Sequence, residues 1–423
     1  MTDDPRVPLT VLSGLAPGPS TALADALHLG DARTAVVHHD LRRIGDGVVR
    51  RRLRLGPRDQ LTALELAHGC VSCTLREDLL PLLRKLARMP EVDRIVLHLD
   101  EAMEPEPVSW AIENVLVGDR PVSEDVAIEA VVTVLDTARW LADATGDETL
   151  DERGLIASPE DERTVAQVLL SQAEFADVLV LAGVPADGWS AAKTDAVLTR
   201  LAPAAARIEL SILDPRGAGV AAALRAAVPS GARRGRVTDM HGPLLTGEPP
   251  LHPDCGVALF TFTATRPFHP GRLHDAIDVL LDGVVRTRGR LWVASQPDIA
   301  FYLESAGGGL GIGHAGPWLA SPDGPAWDQV SPERRTLASL RWDPVHGDRA
   351  QEIVVLTDRA TPEEIEAALG GALLTDEELA DGPSAWRAYP DPFGEWHEEP
   401  CDDTEVPDNT AAAQAQNRKD DRK

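Results

Sequence analysis

The chain reads as an α/β protein: a mostly parallel sheet covered by helices, followed by a smaller α+β domain. Three observations predict this. Short apolar runs at Val7–Ser13, Arg94–Leu99, Ala130–Leu135 and Val178–Leu181 alternate with helix-spaced segments, the pattern of strands buried on both faces. At 423 residues the chain exceeds one ordinary core, so two domains and a connection are expected. Between Ser230 and Asp254, glycine, proline, arginine and histidine interrupt any periodicity. The connection is placed there, dividing the chain into 1–229, 230–254 and 255–396. Residues 397–423 are acidic, then rich in Ala, Gln and Asn, with no apolar stripe, and a disordered tail is expected.

Val7–Ser13 is the expected first strand, Thr21–Leu29 its helix and Ala35–Val37 a short second strand. Val48–Leu55 alternates as a half-exposed strand does. Leu79–Leu86 has helical spacing up to Met89-Pro90, Arg94–Leu99 returns to a strand, and Val108–Leu116 to a helix. Ala130–Leu135, Val178–Leu181 and Ile208–Leu213 add strands, while Val165–Phe175 and Val220–Val228 add helices. In the second domain Val257–Ala264, Val284–Ala294 and Ile353–Leu356 are extended and Leu273–Leu281 is helical. Thr361 as N-cap, Glu364 three residues on and Pro362 at the first helical position form a capping box. The run Gly307-Gly308-Gly309-Leu310-Gly311-Ile312-Gly313 reads as a turn or strand bend, with a binding loop as the alternative.

Composition narrows the function classes. With 68 acidic and 41 basic residues the net charge is −27, which opposes broad attachment to nucleic acid or anionic lipid. A local patch remains: Arg50, Arg51, Arg52 and Arg54 fall on one strand, as a solvated surface or as a contact for RNA phosphate. No apolar run is long enough to span a membrane and nothing reads as a signal peptide, so a cytoplasmic protein is expected. Four cysteines in so long a chain are no disulfide framework.

Two stretches carry chemistry. Ser13-Gly14-Leu15-Ala16-Pro17-Gly18-Pro19-Ser20-Thr21 follows the first strand, where a phosphate loop would stand. Such a loop needs Gly-x-x-x-x-Gly-Lys-Ser/Thr, its N–H groups cradling phosphate and its lysine supplying charge. Gly14 and Thr21 are kept, but Pro19 replaces the second glycine and Ser20 the lysine, and proline removes a donor. A retired nucleotide loop, an ordinary strand-turn-helix and an unusual working site all fit. The second stretch, His68-Gly69-Cys70-Val71-Ser72-Cys73, sets two thiols at CxxC spacing. They could hold zinc with two further ligands, remain a reduced metal-less pair, or act as a redox pair. His38, His39, His68 and His98 are the nearest imidazoles in sequence or at the same sheet edge. Asp100 and Glu101 end an apolar strand, and a solvated loop or partner contact is preferred there over a magnesium site.

From about Pro8 to Trp396 the chain resembles the CobW-like metal-associated GTPases, in an actinobacterial branch with a degraded nucleotide site. The phosphate loop of that family matches Ser13–Ala22, and its Gly-Cys-x-Cys-Cys motif matches Gly69-Cys70-Val71-Ser72-Cys73, with Ser72 in place of the middle cysteine. The nucleotide-sensing segment matches His98–Pro105, with Glu101 at a glycine position. The guanine-reading Asn-Lys-x-Asp falls on Ala182-Gly183-Val184-Pro185. Arg266–Pro270, Gly283–Arg286, Trp292, Gly347–Ile353 and Asp391-Pro392-Phe393 resemble the C-terminal domain of the family. The resemblance implies a P-loop NTPase-like domain joined to a CobW C-terminal-type α+β domain. Zinc is then the expected ligand, while GTP and magnesium are not expected. The implied role is a noncatalytic, zinc-limitation-responsive adaptor for a ribosome-hibernation factor or the ribosome. A zinc-handling chaperone with a zinc-dependent client protein is the alternative, and a weak GTPase a third.

Overall fold

The computed structural model describes residues 6–66, 71–155, 158, 161–213 and 219–394. The chain runs β1 (Val7–Ser13), α1 (Pro17–Gly30), β2 (Thr34–Asp40), β3 (Val48–Leu55), β4 (Arg58–Glu65), α2 (Val71–Thr74), α3 (Leu80–Ala87), β5 (Arg94–His98) and α4 (Pro105–Asn114). A two-residue ladder, β6 (Leu116–Val117) with β7 (Arg120–Pro121), leads to β8 (Val126–Asp136) and α5 (Trp140–Ala144). Then follow α6 (Val165–Phe175), β9 (Val178–Ala182), α7 (Gly188–Leu201), β10 (Ala206–Glu209) and α8 (Val220–Ala227). The second domain comprises β11 (Ala258–Ala264), α9 (Pro270–Ala276), β12 (Val284–Trp292), β13 (Ile299–Ala306) and β14 (Gly309–Pro317). It ends with α10 (Pro332–Arg341), β15 (Gln351–Thr357), α11 (Pro362–Ala372), α12 (Asp376–Asp381) and α13 (Pro383–Trp386).

Eight strands form the first sheet, in the order β10-β9-β8-β1-β5-β2-β3-β4. The first six pair in parallel, and β3 and β4 extend the edge as an antiparallel hairpin. The central strands are apolar throughout because helices cover both faces: Leu9 and Val11 pack toward α3 and α4, Leu12 toward α1. The second sheet is wholly antiparallel, β11-β15-β12-β13-β14.

Several elements depart from the sequence reading. Helix α1 starts at Pro17 rather than Thr21, since proline is favoured in the first helical turn where its missing N–H is harmless. Thr361 is the N-cap of α11, but its side chain makes no capping bond. Ile208–Leu213 is a strand only to Glu209 and then a 3-10 turn, and the helix expected over Leu273–Leu281 passes into 3-10 geometry at Ile277. The glycine run Gly307–Gly313 is the turn and second strand of the β13–β14 hairpin. The expected tail lies outside the described residues.

The two domains share one hydrophobic cluster, in which Leu169, Leu170 and Ala173 of α6 join Leu259, Val285, Val354 and Leu356 of the second sheet. The tip of the β13–β14 hairpin docks on the connection between α5 and α6. Gly307 has φ of 53°, and a Cβ there would stand 2.2 Å from the Gly146 carbonyl oxygen. Gly308 donates its N–H to that oxygen at 3.2 Å. Only glycine fits this approach, so Gly307→Val should destabilise the docked protein by about 1–3 kcal/mol and split its melting into two transitions. Differential scanning calorimetry reads this directly; an unchanged single transition would show that the tip does not hold the domains together.

Candidate functional site

Only Gly14, Leu15 and Ala16 separate β1 from α1. Gly14, at φ 140°, lies where a Cβ would stand 2.2 Å from the Val134 carbonyl oxygen, so this glycine serves close packing on β8. The first turn of α1 occupies the rest of the phosphate-loop position. The Ser20 N–H donates to the Ala16 carbonyl at 2.8 Å, Pro17 and Pro19 have no N–H, and the buried Ser20 hydroxyl has no hydrogen-bond partner among the described residues. Thr21 is exposed.

The segment after β5 is held on several sides. Asp100 is 3% exposed, which corrects the expected solvated loop. Its carboxylate accepts the N–H groups of Leu41 at 2.9 Å and Ala102 at 3.1 Å. Burial nevertheless pushes its pKa up, and burial with the Asp100 charge does the same to Glu101. Gln172 of α6 donates to the carbonyls of Glu101 at 3.0 Å and Met103 at 2.9 Å, and Arg163 to that of Ala102 at 3.0 Å. After β9, the Ala182 carbonyl accepts both the N–H and the hydroxyl of Thr137, at 2.8 and 2.9 Å.

His68 and Cys70 lie outside the described residues. Cys73 is half-buried on α2, which passes into a π-helical turn, Leu75–Leu79, before α3. Such turns insert one extra residue per turn and redirect the side chains that follow. Here the turn carries Asp78, whose carboxylate accepts His39 Nε2–H at 2.8 Å and pairs with Arg51. Asp78 therefore ties the cysteine-bearing helix to β2 and β3. Sequence reasoning missed it, because a carboxylate five residues after Cys73 matches no ligand spacing.

His38 and His98 sit side by side at the ends of β2 and β5, with ring centroids 4.6 Å apart. His38 Nδ1–H donates to the His98 carbonyl at 3.0 Å. Burial pushes the His98 pKa down to about 3, helped by the charges of His38 and Arg54. Burial also lowers that of His39, against the pull of Asp78. Both rings are held neutral, the form that can ligate a metal. Among the described residues, no group of three or more His, Cys, Asp or Glu side chains is placed to hold one.

The four arginines do not share a face. Arg51 points toward Asp78 beside α3, while Arg54 pairs with Asp25 of α1 on the opposite side of the sheet. Arg52 pairs across the hairpin with Asp59 at 2.6 Å, and Arg50 is exposed.

A doubly covered parallel sheet with a strand-turn-helix at the phosphate-loop position, joined to a smaller antiparallel domain, defines a P-loop NTPase-like protein with a CobW C-terminal-type domain. The chain belongs to the CobW family. Residues 8–206 match the CobW/HypB/UreG nucleotide-binding domain, and residues 257–373 match the cobalamin synthesis protein cobW C-terminal domain. It is 46% identical over 391 residues to a Mycobacterium tuberculosis protein named as a zinc chaperone, covering 89% of this chain and 90% of that one. It is 26% identical over 411 residues to zinc-regulated GTPase metalloprotein activator 1 of Dictyostelium discoideum, covering 92% and 84%. The Zn(II)-bound YjiA GTPase of E. coli matches at 16% identity over 87% of this chain and 99% of that one, with a TM-score of 0.34. No described helix is long and apolar enough to cross a membrane.

The buried histidines have a measurable consequence. A His98 pKa near 3 in the folded chain against 6.5 unfolded means that the unfolded state binds more protons between those values. Stability is then complete above pH 6.5 and is lost as pH falls. Replacing His98 by Gln should flatten the stability profile between about pH 5 and 6.5, by up to about 1.4 kcal/mol per pH unit. Urea unfolding across that range checks it; parallel profiles for the two proteins would mean that His98 protonates equally well when folded.

Proposed function

We propose that this protein handles zinc as cargo for a client protein and neither binds nor hydrolyses GTP. The zinc half is supported by the relatives named zinc chaperones and by the donor set at the CxxC stretch. Thiolates are suitable soft ligands, and Cys73 sits one turn before the residue that fixes His39. The nucleotide half rests on one observation above all: the Ser20 N–H is spent inside α1, on the Ala16 carbonyl. A phosphate cradle needs N–H groups pointing into the loop, and here a helical turn fills that space. With no lysine in addition, the electrostatic stabilisation of phosphoryl transfer has no source in the loop.

Calorimetric titration with GTP and magnesium should give no binding. The variant Ser20→Lys should gain none, because the cradle is helical and not merely uncharged. Ser20 is 1% exposed, so that lysine should also cost about 2–3 kcal/mol of stability. Micromolar GTP binding by the native protein would overturn the reading.

Zinc competition titration should find a site weakened about tenfold or more by Cys70→Ser and by Cys73→Ser. Equal zinc binding by all three proteins would remove the thiols from the site. Affinity recovery from zinc-limited and zinc-replete cells then identifies the client. The adaptor role toward a ribosome-hibernation factor, implied by the family branch, is the other outcome of that experiment. It needs a surface that meets RNA or the factor, and three of the four arginines offered for it are already paired with carboxylates.

A further inference from the structure

A cavity of about 480 Å³ lies in the second domain, between the β11–β15 edge and α10, away from the strand C-termini described above. Its polar lining is unusual for a site with no assigned role. Arg290, Arg334, His241 and Trp318 all line it and are each at least nine-tenths buried. Arg290 is fully occupied: it pairs with Glu352 and donates to the carbonyls of Met240 at 3.1 Å and Gly242 at 2.6 Å. Arg341 shares the same Glu352. His241 donates Nε2–H to the Ala315 carbonyl at 2.7 Å. Asp348 spends its two oxygens on the N–H groups of Leu319 and Ala320, both at 2.9 Å.

Arg334 is different. Its guanidinium donates from Nη2 to the Pro317 carbonyl at 2.7 Å, yet it has no carboxylate within ion-pairing distance among the described residues; its unpartnered Nε–H it shares with the ion-paired Arg272, Arg286 and Arg288. The indole N–H of Trp318, 2% exposed on the same wall, also has no acceptor, and neither it nor the Arg334 Nε–H presents surface to the cavity. A buried cation is costly unless an anion pairs with it, and a buried N–H is costly unless it is bonded. Burial correspondingly lowers the Arg334 pKa, with the charge of Arg290 adding to the effect. Glu352 and Asp348 stand among the three guanidiniums of the lining, and the Asp239 carboxylate acts on Arg334 from just behind it, but none of the three forms an ion pair with Arg334. Leu337, Ala338, Ala264 and Ala350 supply the apolar part of the wall, beside Thr263, Thr265 and Gln351.

We propose that this cavity binds the carboxylate of a small organic monoanion, with Arg334 as its ion-pair partner and the Leu337–Ala338 wall against its apolar body. This goes beyond the zinc-handling reading and does not depend on it. The planar fork of arginine suits a carboxylate, and an ion pair of that kind in a desolvated pocket is the stronger sort of hydrogen bond.

Calorimetric titration of the full-length protein with benzoate tests this, with benzyl alcohol and inorganic phosphate as comparison probes. Benzoate should bind saturably, and both comparison probes should bind at least about tenfold more weakly. Arg334→Met should weaken benzoate by about tenfold or more while melting no lower than the native protein, since the change removes an unpaired buried charge. Ala264→Leu, which narrows the cavity and leaves every charge in place, should weaken benzoate comparably and keeps the test decisive if Arg334→Met does not fold. Absence of saturable benzoate binding, equal binding by benzyl alcohol, equal or tighter binding by phosphate, or undiminished benzoate binding in a folded variant would each overturn the assignment.

Discussion

The ion pairs that Glu174 makes across the domain boundary set the frame for everything else. Its carboxylate meets Arg288 at 2.9 Å and Arg286 at 3.4 Å, fixing the second sheet against α6. Both arginines also reach Glu304, and Arg286 is only 6% exposed. Breaking one partner out of such a buried group leaves an uncompensated charge, at a cost of about 3–5 kcal/mol. The same helix carries Gln172, which holds the segment after β5. At its N-terminus, Thr164 and Gln167 form a capping box beside the docked hairpin tip. One helix thus connects the second domain, the hairpin and the segment after β5.

That arrangement bears on how the site works. A switch requires an element with two arrangements of similar energy. Residues 100–104 are instead bonded to Leu41, Gln172 and Arg163 at once, and Arg163 in turn meets Glu104 at 3.4 Å. Each bond contributes about 1 kcal/mol, and together they favour one position of the segment. Neutral imidazoles and the helix bearing Cys73 stand at this end of the sheet, consistent with metal handling by a fixed scaffold.

Much of this was legible in the sequence because the central strands are buried on both faces, so apolar runs such as Val178–Leu181 have no other physical use. Helix α6 was legible for a related reason: its apolar stripe is wide, since it faces two domains. The misses share a different cause. Helix α7 has a weak stripe with Trp189 exposed, and its start depends on Asp187 accepting the Ser190 N–H, a local signal easily passed over. The early start of α1 hides behind two prolines, which read as loop residues unless the first helical turn is considered. The histidine pair was read as an edge cluster, but Asp78 was invisible because the π-helical turn that aims it has no sequence signature. The role of the glycine run was likewise out of reach: what excludes a side chain at Gly307 is the Gly146 backbone, 161 positions away in the chain.

The charge inventory gives the last step. The chain has 68 acidic residues for 41 basic ones, so a carboxylate is available for almost every cation. Most of the tightly packed arginines follow that expectation: Arg51 with Asp78, Arg54 with Asp25, Arg153 with Asp143 and Glu148, Arg272 with Glu378. Arg200, 4% exposed, is held instead by the carbonyls of Ala196 and His252. Pairing of this kind neutralises the strand that the sequence offered as a basic face, which is why clustered arginines in an acidic protein are weak evidence for RNA. Arg334 differs from Arg200 in two respects: a single carbonyl holds it, and it lines a cavity. Arg334 has Asp239 and Asp348 near enough to act on its charge, yet Asp348 is turned to backbone N–H groups, and Asp239 accepts from Ser331 and His241. In a chain so rich in carboxylates, an arginine on a cavity wall with no ion pair of its own leaves a place that a carboxylate from outside can take.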